Sequence, residues 1–106
     1  MRKLAATLLL ITLCLTAAAQ QKKIDSLKNA IATPKDDTSR VSAMQLLALT
    51  YVQSKPDSAL ALANDMLRIS KTAQYRKGEA GGLNALGVVY SVTGNYPKAL
   101  TYFLSA

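Results

Sequence analysis

Leu83-Asn84-Ala85-Leu86-Gly87-Val88-Val89-Tyr90, followed after three residues by Gly94-Asn95-Tyr96-Pro97-Lys98-Ala99-Leu100-Thr101-Tyr102-Phe103, is the stretch that decides the fold. Leu83, Leu86, Gly87 and Tyr90 recur three or four residues apart and so line one face of a helix. Ala99, Leu100 and Phe103 do the same on the next segment, and Gly94-Asn95 supplies turn residues between the two. Helices folded into a hairpin approach closely only where one of them offers almost no side chain. That is the role expected of Gly87 and Ala99, with Tyr90 and Phe103 filling the space beside them.

One such hairpin cannot bury its apolar face alone, so a second copy is expected. The chain supplies one. Met44 aligns with Leu83, Leu47-Ala48 with Leu86-Gly87 and Tyr51 with Tyr90, all at an offset of 39 residues. Ala59-Leu60 aligns with Ala99-Leu100 at 40, and the slip of one falls in the turn, where Gln53-Ser54-Lys55-Pro56 replaces Thr93-Gly94-Asn95-Tyr96-Pro97. The first copy is degenerate: Ala48 stands for the glycine, Ala63 for Phe103, and Met66 for the small residue matched by Ala106.

The order large residue, Leu-Gly, Tyr, Ala, Phe at these spacings resembles a tetratricopeptide repeat, over about Asp37 to Ala106. The resemblance implies an all-α fold of antiparallel helix pairs forming a right-handed solenoid, with about five helices after removal of the N-terminal leader. The signature packing positions are then Leu47, Ala48, Tyr51 and Ala59 in the first copy and Leu86, Gly87, Tyr90, Ala99 and Phe103 in the second. The offset exceeds the roughly 34 residues of the standard repeat. The extra length is expected in a longer second helix, through Arg68 to Ala73, and in a longer link, Gln74 to Gly78. In this family the first helix of each pair lines a concave groove. Carried over position by position, the groove residues are Gln45, Leu49 and Gln53, and Asn84, Val88 and Ser91 or Val92. The resemblance implies protein or peptide binding, here in a neutral, weakly apolar groove in which the Gln45 and Asn84 amides meet an extended backbone.

The N-terminus points to a compartment. Arg2-Lys3, the uncharged apolar run Leu4 to Leu15, and Ala17-Ala18-Ala19 before Gln20 have the layout of a secretory signal peptide, with cleavage expected after Ala19. The uncharged stretch is shorter than the roughly 20 residues of a spanning helix, which weighs against a retained anchor. Lipid attachment at Cys14 is a further alternative, although Leu13 precedes it where a small residue is expected and Cys14 lies inside the run. The expected location is the periplasmic or extracytoplasmic side of a bacterial inner membrane. Membrane contact would come only through an uncleaved signal or a segment beyond residue 106.

Removing the leader lowers the net charge from +7 to +5 and leaves neither cysteine nor histidine. Disulfides, thiol chemistry and His-based metal sites are thereby excluded from residues 20–106. The basic residues are scattered, with no stripe interleaved with aromatics, so no nucleic-acid partner is expected. No cofactor is expected either. Asp36-Asp37 reads as a helix start rather than an acid-base pair, and serines have no histidine to activate them. Gly81-Gly82 lacks the rest of a phosphate loop. Near the start of a helix these two glycines cost about 1 kcal/mol each relative to alanine, and either close packing or a hinge would justify them.

Between leader and repeats, Ile24, Leu27, Ala30 and Ile31 share one face of a short helix, Gln21 to Ala32, which Pro34 would end and which is expected to cap the array. Helices are then expected from about Thr38 to Gln53, from Pro56, from near Gly78 and from Tyr96-Pro97, with the N-cap of the first among Lys35 to Ser39. The resulting division is a signal peptide over 1–19, a capping helix and linker over 20–36, and two helix pairs over 37–106, the second truncated. No enzyme is expected within these residues. The chain resembles the front end of bacterial repeat-containing sensor histidine kinases and related regulators, whose catalytic domain would lie past residue 106, making this a fragment. The alternative is a free-standing exported scaffold or surface binding protein.

Overall fold

A computed structural model describes residues 2–33 and 35–106, and every described regular element is helical. α1 spans Arg2–Ala32, α2 Asp37–Tyr51, α3 Pro56–Thr72, α4 Arg76–Val92 and α5 Tyr96–Ser105. Each helix packs on its neighbours in sequence, and short connections make consecutive helices antiparallel. α2 additionally packs on α4. Three helices begin 20 residues apart, at Pro56, Arg76 and Tyr96. The 40-residue offset is therefore two equal helix-plus-turn steps.

The turns explain the spacing. After α3 the Tyr75 N–H donates to Ser70 O (2.8 Å) and the Gln74 N–H to Lys71 O (3.2 Å). After α4 the Asn95 N–H donates to Tyr90 O (2.8 Å) and the Gly94 N–H to Ser91 O (3.2 Å). These paired bonds close off the last helical carbonyls and need a left-handed residue in the middle. Gly94 fills that place with φ 89° and Gln74 with φ 54°. The expected long link at Gln74 to Gly78 is thus corrected to three residues, Ala73 to Tyr75. Arg76, Lys77 and Gly78 already form the first turn of α4.

α2 starts where expected. The Asp36 carboxylate accepts from the Ser39 N–H at 2.7 Å, which caps the helix and holds the Asp36 carboxyl below its ordinary range. It ends two residues short of Gln53, at Tyr51. Pro34, expected to end the first helix, lies outside the described residues. Within α1 the leader and the amphipathic segment form one uninterrupted helix with no break at Ala19, because neither glycine nor proline interrupts Arg2 to Ala32.

The core sits between α2, α3 and α4. Leu47, Tyr51, Val52, Ala59 and Val89 form its centre, with Val41, Met44 and Met66 toward one end and Ala63, Ala85 and Leu86 between α3 and α4. Ile24, Leu27 and Ile31 of α1 pack onto this core, whereas Ala30 is exposed. Everything from Arg2 to Lys23 is exposed. On α5 only Ala99 is buried, so the expected apolar face is corrected. Leu100 is exposed and Tyr102 takes its place, joining the Ala63, Ala85 and Leu86 cluster.

The small residues do what close packing requires. A Cβ at Gly87 would lie 2.6 Å from Cε1 of Phe103, so the Phe103 ring rests on the bare backbone of α4. A Cβ at Gly82 would lie 3.0 Å from Leu67 Cγ and 3.2 Å from Ala63 O, and one at Gly81 would lie 3.1 Å from Gln45 Oε1. Both glycines thus serve close approach, Gly82 to α3 and Gly81 to α2.

Candidate interaction surface

The α2–α4 seam gathers most of the expected groove residues. Gln45 is half-buried with its amide lying over Gly81, so it bridges the two helices. Leu49 follows Gln45 by one turn on α2, and Asn84 and Val88 follow Gly81 by one and two turns on α4. Leu49 is 42% exposed and Asn84 is exposed, while Val88 is half-buried against the core. Ser91 is half-buried and Val92 is 44% exposed at the end of α4. Gln53 is exposed but lies in the α2–α3 turn, past the end of the helix it was expected to extend. The side chains named here are apolar, amide or hydroxyl, with no formal charge among them. These groups offer apolar contact and hydrogen bonding.

Sequence reading missed Leu46, which is 51% exposed on the same helix. Its repeat equivalent, Ala85, is buried against α3, so the alignment hides the difference. It also missed a feature shared by both pairs. Tyr51 and its equivalent Tyr90 each carry a lysine ammonium over the ring, Lys55 at 5.4 Å and Lys98 at 4.5 Å from the centroid. Tyr90 also stacks on Tyr102, with centroids 5.5 Å apart and planes 2° from parallel. These contacts fix the last turn of each first helix to the element that follows it.

Two clefts open along the opposite side of the turns. One, of about 220 Å³, is bounded by Asp37, Arg40, Arg68, Ile69, Thr72 and Ala73. The other, of about 450 Å³, lies among Arg76, Glu79, Ala80, Leu83, Ser105 and Ala106. Their α2 and α4 walls correspond by the 39-residue offset, which sets Asp37 against Arg76 and Arg40 against Glu79, while their α3 and α5 walls do not. Among the described residues no group of His, Cys, Asp or Glu side chains converges as a metal site.

The apolar part of α1 forms a second kind of surface. The helix has an 18-residue window of mean hydropathy 1.6 with none of it buried. A signal sequence and a membrane-crossing helix share that character, and its N-terminal position is that of a signal sequence. No family model, curated protein or solved structure matches this chain.

Proposed function

We propose that this chain is a protein-binding module, a tetratricopeptide-like right-handed solenoid that forms the exported sensory or scaffolding front end of a larger bacterial signalling protein. The observation that carries the reading is the repeated step itself. Helices of 17 residues, α3 and α4, follow one another at 20-residue spacing through matching three-residue turns, and two first helices, α2 and α4, lie side by side. That arrangement presents the neutral seam of Leu49, Asn84 and Val88 to an extended peptide, with Gln45 as the bridge between helices. Catalysis belongs to another part of such a protein, and the N-terminal apolar helix directs export.

The decisive experiment has two arms. A photo-crosslinking residue placed at Leu49 or Val88 in the producing cell should capture a discrete partner that the same residue at Asp57 does not. Asn84→Ala, at a position exposed in the free chain, should then weaken that partner by roughly 1–3 kcal/mol, the cost of lost buried hydrogen bonds, without lowering the melting temperature. Capture independent of position would reject the groove. For export, a reporter fused after residues 1–23 should cross the inner membrane and begin at Gln20, as read by mass spectrometry. A retained Met1 or a lipid on Cys14 would replace that reading with an anchored one. The open reading frame past Ala106 separates a signalling protein from a free-standing scaffold.

A further inference from the structure

The smaller cleft, between the start of α2 and the end of α3, is lined by two arginines in different states. Arg40 lines it, and Arg40 Nε is shut away from solvent without a hydrogen-bond partner. Among the described residues the one ion pair is Arg68 with Asp65, at 3.6 Å, so Arg40 has no carboxylate in pairing range, Asp37 included. A guanidinium whose Nε is sealed without an acceptor carries an uncompensated cost, and a carboxylate taking its remaining N–H groups would offset it. Arg68 lines the same cleft from α3, with its side chain 71% exposed and a loose partner to exchange.

The topology concentrates charge around this cleft. The N-terminus of α2, the C-terminus of α3 and the N-terminus of α4 lie at one end of the helix layer. Lys35, Arg40, Arg68, Lys71, Arg76 and Lys77 all fall there, six of the eleven basic residues after Ala19. The acids at that end are Asp36, Asp37, Asp65 and Glu79, of which Asp36 caps α2 and Asp65 is taken by Arg68. The opposite end, with the α2–α3 and α4–α5 turns, carries Lys55 and Lys98, each held over a tyrosine ring.

While the leader remains attached, the direction of α1 selects among anionic partners. It runs antiparallel to α2, so its C-terminus is at the basic end and its apolar N-terminal half points the other way along a helix about 46 Å long. A membrane met by that apolar half faces the end remote from the cleft. We propose that the Arg40–Arg68 cleft binds a side-chain carboxylate from an acidic segment of a partner protein, with Lys35, Lys71, Arg76 and Lys77 steering the approach. This site is separate from the neutral α2–α4 seam and does not depend on it.

The test uses the full 106-residue chain in a non-ionic detergent and a fluorescently labelled hexaglutamate peptide, followed by anisotropy. Arg68→Gln and Arg40→Gln should each weaken binding at least tenfold, and Arg40→Lys should weaken it less than Arg40→Gln. Lys55→Gln with Lys98→Gln should leave it unchanged. Because Arg68 is exposed, Arg68→Gln keeps the fold, which an unchanged melt verifies, so it decides the matter if Arg40→Gln unfolds. Equal weakening by the Lys55 and Lys98 pair, or no peptide binding, overturns the site. Displacement by inorganic phosphate at the same concentration as by free peptide would make it a small-anion site instead. Tighter binding to phosphatidylglycerol vesicles than to peptide, lost in Arg68→Gln, would make it a lipid site and overturn the peptide reading.

Discussion

The two helix pairs repeat one plan with opposite allocations of volume. Where α4 crosses α5, Gly87 is bare and Phe103 lies over it. Where α2 crosses α3, the equivalent residues are Ala48 and Ala63, both fully buried. The second pair has the clearer motif, yet the first is better buried. Ala59, Ala63, Met66 and Ser70 of α3 are all enclosed, whereas α5 encloses Ala99 alone and leaves Phe103 38% exposed. The cause is position in the stack, since α3 has a helix on each side and α5 packs only on α4. Agreement with a motif therefore measures which contacts a helix can make, and its neighbours decide how much those contacts are worth.

The largest expected effect tests that ranking directly. Met66 is 0% exposed, so Met66→Ala should cost about 2–5 kcal/mol through lost transfer energy and a cavity. Phe103→Ala removes a bigger side chain but one already open to solvent, and should cost less than Met66→Ala. Denaturant melts of the two variants give the comparison. A greater loss at Phe103 would mean that the second pair, not the first, anchors the fold.

Next in size is the crossing itself. Gly87→Leu drives a side chain into the space of the Phe103 ring and should cost roughly 1–3 kcal/mol. Combining it with Phe103→Ala should cost less than the sum of the two, because the intruding leucine then has room. Strict additivity in the double-mutant cycle would show that the two residues do not share a site.

The turns offer a smaller effect with a sign that differs between regions. Gln74 and Gly94 hold the same left-handed place, but glutamine pays strain there that glycine avoids. Gln74→Gly should raise stability by about 0.5–1 kcal/mol, and Gly94→Ala should lower it by a similar amount, read from shifts in denaturant midpoint. Two shifts of the same sign would break the equivalence of the turns.

The smallest effect is in the caps. α2 is capped by the Asp36 carboxylate, and α5 by the neutral Asn95 side chain accepting from the Lys98 N–H at 3.4 Å. The Asp36 carboxyl is held below its ordinary range chiefly by the Ser39 backbone hydrogen bond. A lowered folded-state pKa stabilises above the unfolded value and loses that contribution as pH falls through the folded one. Acidification below the usual aspartate range should therefore lower the protection factor of the Ser39 amide, exchange being referred to the intrinsic rate at each pH, while leaving that of Lys98 unaffected. Parallel changes at both amides would assign the acid response to something other than the cap.

The helical register was legible because local rules govern it. The spacing of Leu83, Leu86, Gly87 and Tyr90, the prolines Pro56 and Pro97, the Gly94 turn and the Asp36 cap each act within a few residues. Gly87 beneath Phe103 was legible too, since a missing side chain in an apolar stripe leaves one use for the large residue opposite. The turn at Gln74 was not, because glutamine gives no sign of a left-handed conformation. Only the paired hydrogen bonds at the end of α3 impose it. Of the candidate groove, the sequence placed Gln45, Leu49, Asn84 and Val88 on helices that do lie side by side. It could not foresee that Gln45 spends its amide over Gly81, that Leu46 stays open while Ala85 is covered, or that Arg40 sits unpaired beside Arg68. Those outcomes depend on which helix ends meet and how closely, and that is fixed when α2, α3 and α4 pack together, over distances in the chain at which no local pattern carries information.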